Sequence, residues 1–122
     1  MNAPVWNPAV EFMEREALEQ VQLVHLRQTV AQALKTPFYR RRLAEVGLTG
    51  PEDLGSLRDL DHLPYTTKDD LREAYPYGLL AVDREQAVRL HTSSGTTGMP
   101  TVIYHTRRDL EGWTELVARC IA

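Results

Sequence analysis

Ser93-Ser94-Gly95-Thr96-Thr97-Gly98-Met99-Pro100, the run SSGTTGMP, sets two glycines, two serines and two threonines in eight positions. It lies between AVRLH (87–91) and TVIYH (101–105), which have the alternating or β-branched character of strands. A polar, glycine-punctuated run cannot build a core, so it reads as the loop that joins them. Thr106 stands three residues before Asp109, close to a capping box, and opens a helix through RRDLEGWTELVARCIA, which carries no stop signal. Strand, loop, strand, helix is the beginning of an α/β layer.

The chemistry of the loop follows from its residue types. Glycine accepts positive φ and lets the backbone approach a ligand, and successive N–H groups of a tight polar loop can converge on anionic oxygens. The hydroxyls of Ser93, Ser94, Thr96 and Thr97 add donors without bulk. This composition suits phosphate. It is not a Walker A loop, because Met99 and Pro100 follow Gly98 where that motif needs Lys and Ser or Thr. Neither the G-x-G-x-x-G dinucleotide turn nor the G-x-S-x-G nucleophile elbow fits. On residue types alone, a flexible hairpin loop remains an equal reading.

Upstream the pattern is helical. From about Val10 to Leu34 there is no proline or glycine. Apolar residues at Val10, Met13, Ala17, Val21 and Val24, extended by Leu26, Val30 and Leu34, predict one long amphipathic helix. Thr36 offers a cap and Pro37 a favourable first helical position, so PFYRRRLAEVG reads as a short second helix stopped by Gly47. Its Arg40, Arg41 and Arg42 are the densest basic cluster, read as a solvated face with an anion or partner contact as the alternative. Gly50, Pro51, Gly55, Pro64, Pro76 and Gly78 permit only short elements in the middle segment. There, Thr66 or Thr67 can cap a helix through KDDLREAY, with Asp69 and Asp70 in its first turn and Pro76 at its end.

Composition excludes several classes. The chain has 122 residues, is 43% hydrophobic and 25% charged, and carries a formal net charge of −3, ordinary values for a globular domain. Without a large cationic surface, broad nucleic-acid binding is not expected. No signal-peptide pattern and no run of membrane-spanning length is present, and a single cysteine, Cys120, excludes an intramolecular disulfide. A cytoplasmic location is the default expectation. No His/Cys/Asp cluster has metal-ligand spacing. His25 and His62 read as structural or solvated, His91 and His105 as strand-packing residues beside the loop, and Tyr75, Tyr77 and Trp113 as core or partner-facing aromatics.

The run Ser93-Ser94-Gly95-Thr96-Thr97-Gly98-x-Pro100-Thr101 is similar to the phosphate-binding signature of the adenylate-forming superfamily. TPFYRRRLAEVG, LDHLPYTTKDDLREAYPYG and REQAVRLHTSSGTTGMPTVIYHT resemble, in order, phenylacetate-coenzyme A ligases and related aryl-CoA ligases. The likeness runs from about Gln22 onward. It implies a ligase that uses ATP with Mg²⁺ to turn an aryl or phenylacetic acid into an acyl-adenylate, then transfers the acyl group to coenzyme A. It assigns the ATP phosphates to Ser93, Ser94, Gly95, Thr96, Thr97 and Gly98. Members of the family commonly have lysine where this chain has Met99, and their base, ribose and catalytic-lysine contacts lie in segments downstream of those seen here.

The expected architecture is therefore α/β. A helical segment over 1–86 is followed from 87 to 122 by the first strands and helix of a larger adenylation domain, with loop 93–100. The 122 residues themselves are expected to be mainly helical with a β-hairpin, a leading piece inactive by itself. Lys68, at the first position of the KDDLREAY helix, opposes the helix dipole. It is expected either to pair with Asp69, Asp70 or Glu73, or to donate to the ATP phosphates in place of a cation at 99. Two rival functions stand beside the ligase: a stand-alone helical interaction module, and a phosphate-loop, ATP-using protein of another reaction class. An incomplete sheet would leave an open edge, so self-association is a further expectation.

Overall fold

A computed structural model describes residues 5–93 and 100–121. In chain order it contains α1 (Pro8–Glu11), α2 (Arg15–Ala33), α3 (Pro37–Glu45), α4 (Lys68–Glu73), β1 (Ala87–Thr92), β2 (Val102–Thr106) and α5 (Arg107–Ile121). Short 3-10 turns occupy Pro51–Asp53, Leu57–His62 and Arg84–Gln86. The described residues are thus mainly helical with one two-stranded sheet, as expected.

The helix α3 shows how local chemistry sets an element. Thr36 caps it, its Oγ1 accepting from Tyr39 N–H at 3.3 Å, and Pro37 takes the first turn where no N–H is needed. At the other end Gly47 adopts φ +79°. Gly47 N–H donates to Ala44 O at 3.0 Å and Leu48 N–H to Leu43 O at 2.9 Å, the paired bonds of a Schellman ending. That turn brings Leu48 back beside Leu43, and both are buried with Val30 and Leu54.

The long N-terminal helix departs from the sequence expectation in two ways. First, it is broken: α1 ends at Glu11 and α2 begins at Arg15. The Glu11 carboxylate accepts from Asn7 N–H at 3.0 Å and pairs with Arg119 of α5 at 3.3 Å, while Trp6 Nε1–H donates to Glu115. These contacts draw α1 toward α5 instead of letting it extend α2. Second, only the C-terminal part of the expected stripe, Leu26, Val30 and Leu34, meets the core. Val10, Val21 and Val24 are exposed, and α2 meets the core through Val30, with Leu23, Leu26 and Leu34 packed around it. Packing is confined to that end because the middle segment, with Leu54 and Leu63, supplies the helix's apolar partner there.

Polar tethers fix the middle segment to α2 and α3. The Arg27 guanidinium donates twice to Leu54 O, at 3.0 and 2.6 Å, and Gln32 Nε2 donates to Ala81 O at 2.6 Å. Tyr39 Oη meets Thr66 Oγ1 at 2.6 Å, and Arg42 pairs with Asp70 at 2.8 Å. Of the basic cluster, then, Arg42 is engaged with α4 and Arg40 Nε donates to Leu34 O at 3.2 Å. α4 is shorter than expected, ending at Glu73 with Ala74 as its cap residue, before Pro76 is reached.

β1 and β2 pair antiparallel, with Leu90 opposite Tyr104, His91 opposite Ile103 and Thr92 opposite Val102, and an irregularity between Ala87 and Arg89. The period of two puts Arg89, His91, Ile103 and His105 on one face, and Leu90, Thr92, Val102 and Tyr104 on the other. α5 starts directly from β2 and packs against it. Thr106 N–H and Oγ1–H both donate to Asp109 Oδ2, at 2.7 and 2.8 Å, and Asp109 N–H returns a bond to Thr106 Oγ1 at 3.2 Å.

Candidate functional site

The SSGTTGMP run connects β1 to β2 at the Thr92–Val102 end of the hairpin. Its neck is closed by two bonds between the same residues: Ser93 N–H donates to Thr101 O at 3.1 Å, and the Ser93 and Thr101 hydroxyls meet at 2.6 Å. The sheet pairing therefore continues one step past Thr92 and Val102. Ser93, one of the expected phosphate contacts, is exposed and spends its hydroxyl on the neck. Ser94, Gly95, Thr96, Thr97, Gly98 and Met99 lie outside the described residues.

Below the neck, on the face toward α5, three aromatic rings meet. The His91 and His105 centroids are 4.8 Å apart, and the Trp113 ring lies 5.3 Å from His91 and 5.8 Å from His105, stacked on the latter at 28°. His91 and His105 are thus packing residues of the strands, as expected, and Trp113 is the helix side chain they pack on. On the opposite face Tyr77 stacks on Tyr104 at 5.6 Å, and the Arg84 guanidinium lies 3.8 Å over the Tyr77 ring. These rings border a recess of about 270 Å³ with Leu80, Val88 and Leu90.

A second, larger cleft of about 1400 Å³ opens between α2 and α3 on one side and β2 with the start of α5 on the other. His25, Lys35, Tyr39, Tyr75, Tyr104 and Arg107 line it among others. Sequence reading had no access to this cleft, because it depends on how the middle segment folds back. The His–His–Trp stack was closer to legible. Strand alternation already places His91 and His105 on the α5-facing side once the register is known.

Lys68 is the first residue of α4 and is exposed. Thr67 caps α4: its Oγ1 accepts from Asp70 N–H at 3.2 Å, while Thr67 N–H donates to Asp70 Oδ2 at 2.7 Å. Those bonds from Thr67, with the Arg42 guanidinium behind them, hold the Asp70 carboxyl below its usual range. Asp69 pairs with Arg72 at 2.7 Å. Both acidic neighbours are thus taken by arginines, and among the described residues Lys68 has no ion pair. No hydrogen bond or ion pair among them joins Lys68 to the hairpin either. Asp109 is likewise held low, first by Thr106 N–H and then by the Thr106 hydroxyl. Among the described residues no group of three or more His, Cys, Asp or Glu could hold a metal ion.

No protein-family model matches the chain. Curated proteins do. It is 50% identical to the phenylacetate-coenzyme A ligase of Pseudomonas putida over 92% of its length, and 45% identical to that of Thermus thermophilus over 97%. The Escherichia coli K12 phenylacetate-coenzyme A ligase is 42% identical over 92%. The chain spans about a quarter of the length of these relatives, 26% in each case. Among solved structures, a 2-hydroxyisobutyryl-CoA ligase in complex with 2-HIB-AMP and CoA superposes with a TM-score of 0.73 at 35% identity, covering 84% of this chain and 23% of that one. The same ligase with 2-HIB-AMP in its postadenylation state gives 0.67 at 32% identity, over 80% and 21%. The chain matches in sequence the amino-terminal portion of the phenylacetate-coenzyme A ligases, and it shares its fold with the corresponding part of an acyl-CoA ligase.

Proposed function

We propose that this chain is the part of an ATP-dependent aryl-acid CoA ligase that carries the phosphate-binding loop, with phenylacetic acid or a close relative as the acid. The observation that carries the reading is the hairpin neck. A loop of glycines and hydroxyl residues springs from a closed Ser93–Thr101 pair at the end of two paired strands. Such a base fixes where the run leaves one strand and enters the other.

The reaction has two steps. A carboxylate oxygen of the acid attacks the α-phosphorus of MgATP, the bond from that phosphorus to the β-bridging oxygen breaks, and pyrophosphate leaves. The coenzyme A thiolate then attacks the acyl carbon, and the bond to the AMP oxygen breaks. Step one brings an anion to a polyanion, so donors preorganised around the phosphates lower its barrier most. Ser94, Gly95, Thr96, Thr97 and Gly98 hold the phosphates, with Ser93 supporting them from the neck. Mg²⁺ enters with the nucleotide. Met99 supplies no cation, and Lys68, which no carboxylate among the described residues neutralises, supplies it in this reading. The helical part, 1–86, and the loop-bearing part, from 87 on, act as the leading portions of one enzyme. The 122 residues alone form no acyl-adenylate, since the relatives are about four times as long.

The test is product analysis on the protein expressed from the native reading frame that encodes this chain. With phenylacetate, MgATP and coenzyme A it should yield phenylacetyl-CoA, AMP and pyrophosphate in equal amounts. Thioester absent with every arylacetic acid tried, or nucleotide cleavage that ignores the acid, would sink the reading.

A further inference from the structure

We infer that His91, His105 and Trp113 are positioning residues of the adenylation step, an imidazole–imidazole–indole stack that sets the neck of the loop against α5. This role rests on the ligase reading. The direction in which the end of the hairpin points depends on what packs across its strands. On the α5 side that packing is the ring stack, with centroids 4.8, 5.3 and 5.8 Å apart.

The stack reaches both arms of the neck. His91 stands on β1 two residues before Ser93, and His105 on β2 four residues after Thr101. At about 3.3 Å per residue, His91 is within roughly 7 Å of the neck along its strand. A tilt of the strands about Trp113 therefore passes to the Ser93–Thr101 pair almost undiminished. The lower end of the lever is also fixed, because β2 runs into the Thr106–Asp109 cap of α5, about one to two helical turns before Trp113.

The buried core, Val30, Leu43, Leu48 and Leu54, lies on α2, α3 and the segment after them, and none of its members comes from the hairpin or α5. Trp113 is 44% exposed, and neither histidine is buried. Three rings arranged face and edge give the strands a defined orientation through contact geometry. An in-line displacement is sensitive to such orientation: a misplacement of about 1 Å can cost on the order of a hundred-fold in rate.

The test uses the same reading-frame protein and acid-dependent ATP–pyrophosphate exchange. Trp113→Ala is expected to lower the exchange kcat by roughly ten- to hundred-fold. KM for the acid and the melting temperature should stay close to the parent values, and Trp113→Phe, which keeps a flat ring, should recover most of the rate. His91→Ala should follow Trp113→Ala. In protein labelled with 5-fluorotryptophan, the Trp113 resonance, assigned by its loss in Trp113→Phe, should shift on addition of a non-hydrolysable ATP analogue with Mg²⁺. Parent-like kcat in Trp113→Ala, a loss that only tracks the folded fraction, or a resonance blind to nucleotide would overturn the positioning role while leaving the ligase reading standing. A parent with no acid-dependent exchange would overturn the ligase reading itself.

Discussion

Val30 and Val24 sit on the same helix and in the same apolar stripe, yet one lies within the core and the other is exposed. Val30 is 4% exposed and Val24 50%. Truncating each to alanine removes the same two methyl groups, so the difference between them isolates burial. At about 0.8 kcal/mol per buried carbon, losing two from Val30 costs roughly 1.6 kcal/mol in transfer, with a cavity contribution on top. Alanine returns up to about 0.7 kcal/mol through its better helix propensity. The net for Val30→Ala is a loss of about 1.5–2 kcal/mol. For Val24, half the burial gives about 0.8 kcal/mol, which the same propensity gain almost cancels. Urea unfolding followed by far-ultraviolet circular dichroism measures both, with the slope m as a check that the unfolding transition itself is unchanged. Two variants destabilised within about 0.5 kcal/mol of each other would refute the placement of α2's packed face.

Other expectations follow from the caps and the site. Gly47→Ala meets no atom within 4 Å but must adopt φ +79°, so it should destabilise by about 1 kcal/mol without altering the circular dichroism spectrum. Because the folded-state pKa of Asp70 is depressed, its stabilisation is present above the unfolded value near 3.8 and is lost as pH falls below that through the folded value; Asp70→Asn should therefore flatten the acid side of the stability profile, and a profile of unchanged slope would count against the Thr67–Asp70–Arg42 arrangement. Lys68→Ala should leave the melting temperature level or slightly raised, since a cation leaves the first turn of α4, while weakening ATP binding in the reading-frame protein. Unchanged ATP affinity returns Lys68 to the solvated surface.

Elements set by neighbouring residues were legible in the sequence. Thr36-Pro37 and Gly47 bracket α3, the Thr66-Thr67 pair marks the start of α4, Thr106 and Asp109 cap α5, and alternation marks both strands. Each depends on groups three or four positions apart or on the pleat itself. What was not legible rests on distant partners. The break between α1 and α2 goes with contacts from Trp6 to Glu115 and Glu11 to Arg119, and the confinement of packing to the C-terminal part of the α2 stripe with the apolar partners supplied by Leu54 and Leu63. No local pattern carries either. The candidate site divides the same way: composition picked out the loop, whereas the Ser93–Thr101 neck and the ring stack under it needed the strand register.

The central claim, that SSGTTGMP binds ATP phosphates for acyl-adenylate formation, is tested most directly by phenylacetate-dependent exchange of labelled pyrophosphate into ATP. The comparison is between the reading-frame protein and its Gly95→Val, Gly98→Val double variant. The parent should exchange only when the acid is present, and the double variant should lose at least about a hundred-fold while keeping its circular dichroism spectrum, because branched Cβ atoms stand where backbone N–H groups must reach the phosphates. Exchange at the parent rate with both valines in place would show that the run is only a turn.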